Sequence, residues 1–73
     1  MGDSIPIPPE VLEGIEAVRQ SGRTNMLDRP AVAAIALELG YVDAAFWLED
    51  KANHKTYAQG IFKGFTEEEN PAP

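Results

Sequence analysis

The feature that most constrains this chain is the octapeptide Ser21-Gly22-Arg23-Thr24-Asn25-Met26-Leu27-Asp28. It holds a helix stop, a polar turn, two apolar anchors and a helix start. Gly22 follows a stretch with helical apolar spacing and can take positive φ at little cost, which suits the position just past a helix end. Thr24 and Asn25 carry side-chain groups that bond nearby backbone and compete with helix. Met26 and Leu27 are too apolar to stand free in water, so one or both should reach the core. Asp28 is a good N-cap, and Pro30 falls in the first turn, where its missing N–H is not needed. The stretch reads first as an interhelix connector. Its functional reading is a donor-rich rim, Arg23, Thr24 and Asn25, that touches a ligand or partner.

Either side of this connector the apolar residues recur at helical spacing. Pro9 opens a first helix to about Gln20, with Val11, Leu12, Ile15 and Val18 on one stripe. A second helix runs from about Arg29 to Leu39, with Val32, Ile35, Ala36 and Leu39 inward and Gly40 as its stop. Its other faces are nearly uncharged, which predicts cover on more than one side and a central place in the fold. A short third helix is capped by Asp43 and ends near Asp50, offering Ala45, Phe46 and Leu48 to the core. A fourth follows the polar break Lys51-Ala52-Asn53-His54, with Tyr57, Ala58, Ile61, Phe62 and Phe65 as its apolar face and Gly64 as its stop. Gly60, in the interior of this helix, costs about 1 kcal/mol against alanine and points to a close approach there.

The predicted fold is therefore all-α: a compact bundle of three to four short helices with flexible termini. Residues 1–8 form a flexible N-terminal arm in which Ile5 and Ile7 can lie extended against the body. Residues 9–65 form a single helical domain, and residues 66–73 a disordered acidic tail. A chain of 73 residues without cysteine has neither disulfide nor thiolate metal site to support a thin core, which leaves helix packing or oligomerisation. The net charge of −6 is concentrated at the ends. All six basic residues but only eight of the twelve acidic ones fall in residues 9–65, leaving that body near −2. This balance disfavours nucleic acid as a partner, since phosphate binding needs clustered Lys and Arg. The longest apolar run, Ala31 to Leu37, is too short to span a membrane, and the N-terminus lacks the pattern of a signal peptide. A cytoplasmic protein is expected.

Candidate chemistry is sparse. Ala36, Gly40, Tyr41 and Phe46 fall where a helix-turn-helix wants small, turn and core residues, but Glu49 stands where that motif needs a core residue. The would-be recognition helix, Asp43 to Asp50, brings three carboxylates and no Arg, Lys, Asn or Gln to a polyanion. His54, the single histidine, reads as a surface or capping residue. No serine, threonine or lysine has an evident base partner. An enzyme, a cofactor and a metal site are not expected. Two sets remain as binding candidates. Arg19, Arg23 and Arg29 gather around Thr24-Asn25 and offer an anion site near the start of the second helix, or else pair with Glu16, Asp28 and Glu38. Tyr41, Trp47 and Leu48 are candidates for an interface, where aromatic residues are enriched.

The same octapeptide resembles the pattern Ser-Gly-x-Thr-Asn-Met-(apolar)-Asp of a family of small, functionally uncharacterised proteins from bacteriophage and prophage genomes. The resemblance continues through Val32, the corner Gly40-Tyr41 and the tyrosine helix Tyr57 to Phe62, over about residues 8 to 65. It implies a phage setting and, for a phage-encoded chain, the cytoplasm of the host. It carries over no catalytic residue or cofactor. Small accessory phage proteins often act by binding host proteins or signalling molecules. The leading expectation is thus a non-enzymatic binding module that engages a host or phage protein, such as an inhibitor of host defence. The alternatives are an anionic small-molecule or nucleotide binder using the Arg-rich turn, and a helix-turn-helix regulator. A homodimer through the second and third helices, centred on Trp47, is a further expectation.

Overall fold

A computed structural model describes residues 4–68. Among these residues four α-helices carry the fold: α1 Pro9–Ser21, α2 Arg29–Glu38, α3 Val42–Glu49 and α4 His54–Lys63, with a single 3₁₀ turn at Lys51–Asn53 before α4. The architecture is all-α, with one small addition. Strand β1, Ile5–Ile7, lies parallel to strand β2, Phe65–Glu67, in the register Ile5 to Phe65 and Ile7 to Glu67. The Ile5 N–H donates to the Gly64 carbonyl at 2.9 Å, and the Glu68 N–H donates to the Ile7 carbonyl at 2.8 Å.

Ile5 and Ile7 lie extended against the body, as expected for the N-terminal arm, and Ile7 is among the largest fully buried side chains. The pairing moves the far bound of the folded body past residue 65. Thr66 and Glu67, placed in a disordered tail, pair with Pro6 and Ile7. The reason is the alternation Ile5-Pro6-Ile7, which gives an extended strand one apolar face to set on the helices. Residues 69–73 of the tail lie outside the described residues.

The core is formed by Val11, Ile15 and Val18 of α1, Val32, Ala33, Ile35 and Ala36 of α2, Ala44, Ala45 and Leu48 of α3, and Tyr57 of α4, closed at one end by Ile7. The central helix is α3 rather than α2, because α3 packs on α1, α2 and α4. Its inward residues Ala44 and Ala45 are small, and opposite Ala44 in α1 stands buried Gly14. A Cβ on Gly14 would fall inside van der Waals contact of the Ala44 Cβ and 3.0 Å from the Tyr41 Cβ. Gly14 therefore sets how closely α1 and α3 approach.

The end of α2 shows why two expected core residues lie outside. The Gly40 N–H donates to the Leu37 carbonyl and the Tyr41 N–H to the Ala36 carbonyl. That is a Schellman ending, with Gly40 at φ +93°. It closes the helix at Glu38 and leaves Leu39, expected inward, 42% exposed. In α3 the buried set Ala44, Ala45 and Leu48 defines the inward face, so Phe46 stands on the other side and is 69% exposed. That helix also starts two residues early, capped by Tyr41, with Asp43 in its first turn rather than at the cap.

Candidate functional site

The octapeptide is held by its own hydrogen bonds. The Ser21 hydroxyl donates to the Val18 carbonyl at 2.6 Å and accepts from the Arg23 N–H at 3.3 Å. Asn25 Oδ1 accepts from the Leu27 N–H at 2.9 Å, closing a side-chain-to-backbone turn. Asp28 Oδ1 accepts from the Ala31 N–H at 3.3 Å and caps α2. The Met26 carbonyl accepts from the Tyr57 hydroxyl at 2.5 Å, which ties the connector to α4. Of its two apolar residues Met26 packs on the core, while Leu27 is 65% exposed. Thr24 is half-buried with no side-chain hydrogen bond among the described residues.

The three arginines do not converge on one point. Arg19 pairs with Glu16 one turn earlier in α1, at 3.4 Å. Arg23 reaches both carboxylate oxygens of Glu38, at 3.0 and 3.3 Å. Arg29 Nη1 donates to the Leu48 carbonyl at 2.7 Å, so a cation meets the carbonyl end of α3. The start of α2 is filled by Asp28. Of the expected interface residues, Tyr41 and Trp47 are half-buried against the core, and Leu48 is fully buried. Leu48 is therefore removed from any interface: it lies on the inward face of α3 with Ala44 and Ala45.

The connector and α4 instead build a site that, of the binding candidates, includes Arg29 alone. An apolar hollow of about 160 Å³ is lined by Leu27, Arg29, His54, Tyr57, Ala58, Ile61 and Phe62. Cavities of roughly 150 Å³ accept a benzene-sized group. Phe62, expected in the core, is 85% exposed. The physical cause is Gly60. Tyr57 and Gly60 are the buried residues of α4, and the Phe65 ring folds back over Gly60 and fills the place a side chain would take. Phe62 lies two residues on, about 200° around the helix from Gly60, and faces out. The close approach that Gly60 permits is thus to Phe65 of the same chain. Among the described residues His54 Nε2 is buried without a hydrogen-bond partner, and only one of the donor nitrogens of Arg29 is engaged.

Tyr57 is the electrostatic marker of this site. Burial pushes its phenol from 10.0 up to about 12, against the opposing pull of the Arg19 and Arg29 charges. The folded state holds the neutral phenol more firmly than the unfolded state does. Its contribution to stability is therefore complete below pH 10 and is lost as pH rises from 10 to 12. Denaturant melts across that range should show a steeper fall for the parent than for Tyr57→Phe. The variant itself should lose about 1 kcal/mol at neutral pH through the missing hydrogen bond. Equal slopes would place the phenol in water.

Among the described residues no three His, Asp or Glu side chains gather as a metal site would require. None of their helices is long and apolar enough to cross a membrane. Residues 9–65 match a family model described as Domain of unknown function (DUF5049). The chain belongs to this family. The DUF5049 match takes in the whole octapeptide, the hollow and Phe65, and leaves β1 outside it. Neither the curated proteins nor the solved structures contain a match to the chain.

Proposed function

We propose that the chain is a non-enzymatic binding module of a bacteriophage, which engages a host or phage protein through the face formed by Leu27, Arg29 and α4. The observation that supports this reading is Phe62, 85% exposed beside an apolar hollow of about 160 Å³. Single exposed apolar residues are ordinary. Here Phe62 and Leu27 share one hollow with Ile61 and Ala58, and apolar clusters of this kind mark interaction sites. Burying one such side chain contributes about 1.5–3 kcal/mol. Arg29 adds unused N–H donors at the same place for a carbonyl or carboxylate of the partner. The phage setting rests on the resemblance of Ser21 to Asp28 to phage proteins. A photo-crosslinking benzophenone residue in place of Phe62 should give a discrete adduct with one protein in phage-infected cells. The same residue in place of Leu37, exposed on α2 and outside the hollow, should not. Identical adduct patterns from the two positions would sink the reading.

A further inference from the structure

A second surface lies between α1 and α3 and shares no lining residue with the Phe62 hollow. One open hollow of about 400 Å³ is lined by the apolar residues Pro8, Val11, Phe46 and Trp47 and by the carboxylates Glu10, Asp43 and Asp50. A neighbouring hollow of about 250 Å³ shares Glu10 and Asp43 and adds Glu13, Tyr41 and Val42. Through the shared residues the two form one groove. No lysine or arginine lines either part. Among the described residues none of Glu10, Glu13, Asp43 and Asp50 is in an ion pair.

Part of this has a local cause. Glu10 and Asp43 sit in the first turns of α1 and α3, where acidic side chains stabilise a helix. Asp50 accepts the Ala52 N–H at 3.0 Å. Neither effect explains Val42 and Phe46, which stand one turn apart on α3 and are 45% and 69% exposed. An apolar strip edged by unpaired carboxylates selects its occupant by charge. A second copy of this chain would bring the same acidic edge of Glu10, Asp43 and Asp50 to the groove, so it is repelled there. Nucleic acid is repelled for the same reason. What fits is a segment with apolar side chains for Phe46 and Val42, and with Lys or Arg for Glu10, Asp43 and Asp50.

We propose that this groove docks a basic amphipathic segment of a partner protein, apolar stripe against α3 and cations against the acidic edge. Trp47 is the single tryptophan and lines the groove, so its emission reports occupancy. The test is a titration of the full chain with a synthetic amphipathic peptide of leucine and lysine, and with its leucine–glutamate counterpart. The lysine peptide should give a saturable change in Trp47 emission, weakened about tenfold in the Glu10→Gln/Asp43→Asn chain and by raised salt. Phe46→Ser, which alters an exposed side chain, should weaken it comparably. A glutamate peptide that binds as well, an unchanged response from Phe46→Ser, or no saturable response overturns the proposal. So does a parent chain that sediments as a dimer and becomes monomeric with Phe46→Ser, since a second copy would then own the groove.

Discussion

Gly14→Ala is expected to destabilise the chain by about 2 kcal/mol, although alanine is the better helix former. In an exposed helix interior this change gains about 1 kcal/mol. Here the new Cβ meets the Cβ atoms of Ala44 and Tyr41, which are fixed to the backbone of α3 and of its cap rather than to the free end of a side chain. No rotamer change can clear them, so α1 and α3 must separate. Overpacking of this kind costs about 1–3 kcal/mol, and more where nothing can yield. Opening this crossing also loosens Ile15 and Val18 in α1 and Leu48 in α3, all with no exposed surface. Urea denaturation checks the result. A variant as stable as the parent would mean that the helices are not in contact at this point.

Leu48→Ala should cost more, about 2–5 kcal/mol. Leu48 is completely buried in the helix that joins the others, and its carbonyl also accepts Arg29. The substitution removes packing atoms from the centre while leaving that backbone bond in place. At about 0.05–0.15 kcal/mol per residue, a chain of this length holds only some 4–11 kcal/mol in total. The expected loss is therefore a large fraction of the whole, and the variant should be partly unfolded at 37 °C by circular dichroism. A loss below about 1 kcal/mol would place Leu48 at the surface.

Four helices, and the boundaries of the first two within a residue or so, were legible because apolar periodicity, Asp28, Pro9 and Pro30, Gly22 and Gly40 all point the same way. The inward faces were less legible where the helices are short. In α3 and α4 an apolar residue follows directly after another, and periodicity alone does not say which of the pair turns inward. In α3 the close approach of Gly14 to Ala44 turns that side inward and leaves Phe46 outside. In α4 the packing of Phe65 on Gly60 excludes Phe62. Both outcomes depend on contacts between segments distant in the chain or folded back upon it, which no local window contains. The strand pair has the same origin, since Ile5–Ile7 meets its partner only after the helices have brought residue 65 beside it.

The binding candidates follow this pattern. That the arginines could pair with Glu16, Asp28 or Glu38 was legible from charge, but not which with which; the structure pairs Arg19 with Glu16 and Arg23 with Glu38 and leaves Asp28 as the cap of α2. The hollow at Phe62 was not legible, because it needs Leu27 and Arg29 of the connector beside His54 and Ile61 of α4. Gly60, taken alone, was a signal that some face of α4 was occupied by more than its own stripe.

Phe62→Asp lets stability and binding be read in one variant. If Phe62 stands in solvent to meet a partner, urea denaturation of the variant should agree with the parent within about 0.5 kcal/mol, as for other surface changes. The partner identified by crosslinking at this position should at the same time bind the variant at least tenfold more weakly, since a carboxylate replaces the ring at a desolvated contact. A loss of stability above about 2 kcal/mol would place Phe62 in the core, and unchanged affinity would remove this face from the interaction. Either result contradicts the account.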